Sequence, residues 1–354
     1  MFNFSQLKQI HLEITNNCQA SCPMCARNIN GGVKNPLIKL NDWTLDDFKS
    51  VMTEEVLGQI DSYYFCGNFG DPIVNGDLLE MCRYSVSTND AVGITIHTNG
   101  SAKSKDWWKS LAHTLPKNHR VVFALDGLAD THKLYRVGTD FDRILENASV
   151  FINNGGNAEW VFIRFKHNQH QVEEARQLSV NLGFSKFTVK NSSRFFLKPY
   201  VNVINRLGEI THTIEPATDT PIKFIDKSAI NNIDSIVRNA SINCLVQESR
   251  EVYIDAFKKL YPCCYIGAIP YLHRTNIELV SITKQMQDQH ASLMNDLKEN
   301  DTSKKSIKDI IDSNEFQTVW EKYWGPNKLI VCAKTCGANL NFSRPAEQVL
   351  NKDK

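Results

Sequence analysis

The feature that most constrains this chain is an alternation. Over the first 195 residues, short β-rich runs are separated by stretches in which apolar residues recur three and four apart. The runs fall at residues 9–15, 62–66, 92–98, 121–125, 160–166 and 186–190. Between the first two, Leu45, Phe48, Val51, Met52 and Val56 mark one face of a helix, and Thr44 stands where its hydroxyl can cap it. Strand and helix alternating at about 30 residues per unit predict parallel strands with crossover helices. Six units suit an open barrel or a doubly wound sheet, and the unusual residues separate the two. They follow strand ends: a cysteine loop, then residues 67–72 (Gly-Asn-Phe-Gly-Asp-Pro), 98–100 (Thr-Asn-Gly), Asp126-Gly127 and His167-Asn168. In a barrel such loops converge on one face, whereas in an open sheet they spread along a crevice. Convergence from so many strands predicts a partial (β/α)6 TIM-like barrel.

From about Arg194 the period breaks, and residues 215–221, with two prolines, read as a bridge. A chain of 354 residues can bury two cores. The expected organisation is a core barrel over 1–200, a bridge over 201–243, a smaller C-terminal α+β domain over 244–340 and a mobile tail over 341–354. The polar stretch between Leu272 and Trp320 reads as partly helical and solvated.

Forty basic and 39 acidic residues leave a net charge of +1, so no long-range field draws the chain to nucleic acid or an anionic membrane. Neither a secretory signal nor an apolar run long enough to span a bilayer is present, which predicts a cytoplasmic protein. In that reducing compartment ten cysteines are better metal ligands than disulfides, and three of them fall within eight residues.

Those three, Cys18, Cys22 and Cys25, have three and then two residues between them. Thiolates suit iron-sulfur clusters and zinc alike. A structural zinc site needs four closed ligands, and no fourth cysteine lies nearby; His11 is the alternative fourth ligand. Three ligands on a four-iron cluster instead leave one iron open to bind something else. The triplet resembles the cysteine motif of the radical S-adenosylmethionine (SAM) superfamily, with similarity running from Lys8 to about Phe195. That resemblance implies a 4Fe-4S cluster whose open iron chelates the amino and carboxylate groups of SAM, and reductive cleavage of SAM to a 5′-deoxyadenosyl radical. Met24 takes the place of the aromatic residue that usually faces the adenine, an apolar and polarisable substitute.

The resemblance extends to the loops that hold SAM. Residues 67–72 are similar to the family's Gly-Gly-Glu-Pro loop, with Gly70 for close backbone approach and Asp71 as an anion for the SAM ammonium, one methylene shorter than the usual Glu. Thr98, Asn99 and Asp126 stand where relatives bind the ribose and methionine portions; Ala124 replaces a serine common two positions before that aspartate. Arg136 occupies the place of an arginine that pairs with the SAM carboxylate. Asn168 is a further polar residue at a strand end, where helix caps are also found.

Cys244, Cys263, Cys332 and Cys336 resemble the four ligands of a twitch module, the shorter relative of the SPASM extension, which implies a second, auxiliary 4Fe-4S cluster. Cys263 is chosen over Cys264 because it follows Pro262, as in relatives, and Lys258 stands where their hairpin turns on a glycine. Zinc is the competing metal here, since four thiolates suit a closed tetrahedral centre. Cys82 reads as core packing and Cys66 as a candidate hydrogen donor.

Together these readings imply a radical SAM oxidoreductase or transferase, with a flavodoxin- or ferredoxin-like reductant and an auxiliary cluster that assists net oxidation or bond formation. Only residues 1–8 precede the first strand, which leaves no room for a peptide-recognition domain and favours a small-molecule substrate over a peptide or protein side chain. A non-catalytic iron-sulfur or zinc scaffold is the reading from another class, supported by Asp71 and Ala124.

Overall fold

The structure is a computed structural model that describes residues 1–192, 194–195, 198–220, 232–273 and 277–338, with side chains from Val280 in the last segment. The expected tail at 341–354 lies outside the described residues, as does part of the bridge.

All six sequence-predicted strands form. They are β1 (Gln9–Leu12), β2 (Ser62–Phe65), β3 (Gly93–Thr98), β4 (Arg120–Ala124), β5 (Ala158–Arg164) and β6 (Lys186–Asn191). Each pairs in parallel with the next, giving the order β1-β2-β3-β4-β5-β6. The crossovers are α1 (Leu45–Val51) with α2 (Glu54–Gln59), α3 (Leu78–Thr88), α4 (Lys105–Thr114), α5 (His132–Tyr135) with α6 (Phe141–Asn153), and α7 (Val172–Asn181). Alternate strand residues such as Ile10, Tyr63, Ile96, Phe123 and Phe162 point to these helices and are fully buried. Burial of that face is the main stabilising term.

The predicted first helix divides. Thr44 caps α1 as expected, accepting the Asp47 N–H at 3.1 Å, but the chain leaves helical geometry at Met52. Thr53 then caps α2, accepting from Val56 at 3.4 Å. A β-branched cap residue inside an apolar period ended one helix and began another, which periodicity alone does not show.

The C-terminal part also joins the main sheet. β7 (Val201–Ile204) and β8 (Ile210–Ile214) form a separate antiparallel hairpin. β9 (Glu251–Ile254) instead lies parallel to β1, pairing Gln9 with Glu251 and Leu12 with Ile254, and β10 (Leu260–Tyr261) completes an eight-stranded sheet. The polar stretch contains the 21-residue helix Ile277–Leu297, and residues of it such as Leu293 and Leu297 are buried.

Lys258 turns the β9–β10 hairpin with φ of +63°, the left-handed conformation that glycine adopts at least cost. Its ammonium pairs with Asp47 at 2.5 Å, and its carbonyl accepts from Thr302 N at 2.8 Å. Lys258→Gly and Lys258→Ala both lose the ion pair, but only alanine retains the strain. The alanine variant should therefore be the less stable by about 1 kcal/mol in urea unfolding. Equal stabilities would show that the left-handed turn carries no cost.

Candidate active site

Parallel strands place their C-terminal ends on one side, so the loops after β1 to β5 meet there. The loop after β1 is held by buried Arg27, which donates to the carbonyls of Asn16 and Ala20, both at 3.3 Å. A turn from Cys25 N to the Cys22 carbonyl, 3.0 Å, brings the last two cysteines together. Each thiol of the triplet acts on the charge of another: Cys22 and Cys25 on Cys18, and Cys25 on Cys22. Three N–H groups approach the sulfurs, from Ala20 at 3.4 Å and Asn99 at 3.7 Å to Cys18, and from Arg136 at 3.9 Å to Cys22.

This donor set fits an iron-sulfur cluster: soft thiols on one loop, ringed by N–H donors, with a guanidinium to offset negative charge. Among the described residues no three Cys, His, Asp or Glu side chains converge on a single metal ion. A cluster asks for wider spacing, because each thiolate binds its own iron. Burial and the Asp71 carboxylate push the Cys18 thiol up, so iron must displace a proton there.

The other expected residues gather round this loop, in arrangements the sequence did not show. A Cβ on Gly70 would collide with the Thr15 carbonyl, so the glycine is required by contact with the cysteine loop itself. Buried Asp71 accepts from Thr98 Oγ1 at 2.8 Å, Asn99 N at 2.7 Å, Asn99 Nδ2 at 2.5 Å and Ile73 N at 3.2 Å. Its carboxylate thus ties the loop after β2 to the loop after β3. Asp126, fully buried, accepts from Arg136 Nε and from Ile163 N, each at 2.6 Å. Met24 is half-buried against the apolar cluster of Tyr135, Phe165, Phe195, Val203 and Ile214. Asn168 is a structural residue: its amide donates to the carbonyls of Asp126 and Ile163, and its oxygen accepts from Phe165 N.

Two contributors had no sequence signal. Glu13, just past β1, accepts from Phe69 N at 2.8 Å and Gly70 N at 3.1 Å, and also takes the Tyr253 hydroxyl. Burial raises its carboxyl despite those donors. Arg194 donates to the Met24 carbonyl at 2.7 Å, and its charge reaches Cys22 and Cys25.

The second constellation forms where the helix Ile330–Cys336 meets the segment before Cys244. Asn243 N donates to the Cys336 carbonyl at 2.9 Å and Ala338 N to that of Ser241 at 2.7 Å. Cys332 and Cys336, four apart, share a helix face. Cys244 hydrogen-bonds Cys336, and Cys263 acts on the charge of both Cys244 and Cys332. Cys264 differs in feeling the charges of Cys66 and Glu13, whereas Cys263 feels that of Cys336; Glu251 acts on both. Asn68 joins the two regions, donating to Tyr253 Oη at 3.2 Å and to the Cys264 carbonyl at 2.9 Å. None of the ten cysteines is in a disulfide, and no helix among the described residues is long and apolar enough to cross a membrane.

This parallel partial barrel, with a cysteine loop after its first strand, shares its fold with solved structures that bind AdoMet or a precursor peptide. The structure of anSMEcpe with bound AdoMet aligns at a TM-score of 0.53 and 13% identity, over 97% of this chain and 89% of that one. Streptococcus suis SuiB bound to the precursor peptide SuiA aligns at 0.50 and 15%, over 78% of this chain and 64% of that one. SuiB bound to S-adenosylmethionine aligns at 0.47 and 16%, over 73% and 61%, so the chain spans less than two thirds of SuiB. No protein-family model matches the sequence, and no curated protein matches it significantly.

Proposed function

We propose that this chain is a radical SAM enzyme that holds a 4Fe-4S cluster on Cys18, Cys22 and Cys25 and binds SAM beside it. The observation that supports this reading is the cysteine loop at the C-terminal mouth of a barrel of this fold, where Asn99 donates to Cys18 at 3.7 Å and Arg136 to Cys22 at 3.9 Å. When bound, cluster and SAM would supply reductive cleavage of SAM and removal of a hydrogen atom from substrate.

The chain's own residues orient and shield. Arg136 is positioned to meet the SAM carboxylate while its Nε stays on Asp126. Asp71, Thr98 and Asn99 hold the second and third loops in register for the ribose and ammonium, and Met24 offers an apolar surface for the adenine. Gly70 lets the loops close on each other.

The second thiol group would hold an auxiliary 4Fe-4S cluster on Cys244, Cys263, Cys332 and Cys336, as in a twitch or SPASM-like module. It would assist net oxidation or bond formation in an oxidoreductase or transferase reaction. The domain limits follow: barrel 1–200, bridge 201–243, auxiliary module 244–340. The electron donor would be a flavodoxin or ferredoxin, and ten cysteines outside disulfides suit the cytoplasm. A small-molecule substrate is favoured, with a peptide side chain as the alternative.

Anaerobic reconstitution with iron and sulfide, followed by dithionite and SAM, should release 5′-deoxyadenosine. Iron-loaded protein that binds SAM but never forms this product would support a non-catalytic scaffold instead. In the same preparation Cys263→Ala should lose the auxiliary iron and Cys264→Ala should keep it; the reverse would exchange their assignments.

A further inference from the structure

The inner face of the barrel differs sharply from the outer one. Outward residues of β2 to β5, such as Tyr63, Ile96, Phe123 and Phe162, are fully buried beneath the helices. Of their inward neighbours, Tyr64, Cys66, His97, Ala124, Val161 and Ile163 are only partly buried, whereas Thr95 and Val122 are buried. Solvent therefore reaches part of the inner face.

Other charges on that face are paired. At the strand starts Arg120, its side chain 50% exposed, meets Glu159 at 3.6 Å, and Tyr64 donates to Glu251 at 2.8 Å. Near the mouth Asp126 holds Arg136, and Glu13 takes the Tyr253 hydroxyl. Lys190 is the contrast. It lies on β6 opposite Ile163, whose N–H binds Asp126, which sets it level with that aspartate near the mouth, and it is partly exposed. Its charge reaches Cys66, His97 and Asp126, yet it makes no hydrogen bond or ion pair with a described residue. An open ammonium beside half-exposed apolar walls can bind an anion without first breaking an internal pair. His97 does not compete for that anion, because burial lowers its pKa to about 4 and keeps it neutral.

We propose that Lys190 anchors a carboxylate or phosphate group of a small substrate inside the barrel, holding the substrate under the thiol loop. The placing relative to the reacting atoms rests on the radical SAM reading; the anion site itself does not. Both anions present oxygens to a single ammonium, and titration separates them.

The test is calorimetric titration of the reconstituted protein with succinate and with inorganic phosphate, each with and without SAM. At least one anion should bind the wild type. Lys190→Met should weaken that binding by about tenfold or more, and Lys190→Arg should retain most of it. SAM binding should be the same in all three proteins. The proposal fails if neither anion binds, or if Lys190→Met binds as the wild type does. Absence of SAM binding in every protein would overturn the radical SAM reading, while the titration without SAM would still decide the role of Lys190.

Discussion

Joint replacement of Cys18, Cys22 and Cys25 by alanine should abolish 5′-deoxyadenosine formation and remove about four irons from each reconstituted chain. Three of the four irons each need a thiolate, and the three thiols lie on one loop pinned by Arg27. The remaining metal then reports on the second constellation alone. About four irons left on the triple variant supports an auxiliary cluster at Cys244, Cys263, Cys332 and Cys336. A single zinc rejects that assignment and makes the C-terminal site structural. Undiminished nucleoside release from the triple variant would sink the central reading.

The second large effect is thermodynamic. The Asp126 side chain is fully buried and that of Arg136 is 16% exposed, so each charge depends on the other. Arg136→Met leaves the carboxylate with Ile163 N as its only short donor among the described residues. Breaking one side of such a pair costs about 3–5 kcal/mol. Anaerobic urea unfolding of the metal-free protein should show that loss. Asp126→Asn combined with Arg136→Met should recover much of it, since no buried charge is then stranded. A loss below about 1 kcal/mol in the single variant would mean that water reaches Asp126 once the arginine is gone.

Much of the barrel was legible because its signals are local. Parallel strands covered by helices on one side show as short apolar runs, and six of these appeared at their observed positions. The thiol loop was legible for the same reason, as three ligands within one turn of chain. What escaped depends on partners far away in sequence. Glu13 looks like an ordinary charge on an alternating strand; only the backbone of Phe69 and Gly70 gives it a task. Arg194 follows a strand end with no motif around it, and its partner, the Met24 carbonyl, lies 170 residues earlier in the chain. Asp71 and Gly70 were legible as important, but on grounds of ligand contact. Their contacts here are with neighbouring loops, a reason no single segment carries.

The pairing of β1 with β9 has a consequence for how the molecule is made. During synthesis β1 emerges first, and β2 can cover one of its edges early. Its other edge stays bare until Ile254 has left the ribosome. Glu13 waits for the same event, because Tyr253 arrives on that strand. A long interval between the first strand and its final neighbour slows closure and leaves an unpaired edge exposed to other chains. The cysteine loop follows β1 directly, so the strand that carries it is flanked on one side only until β9 has paired.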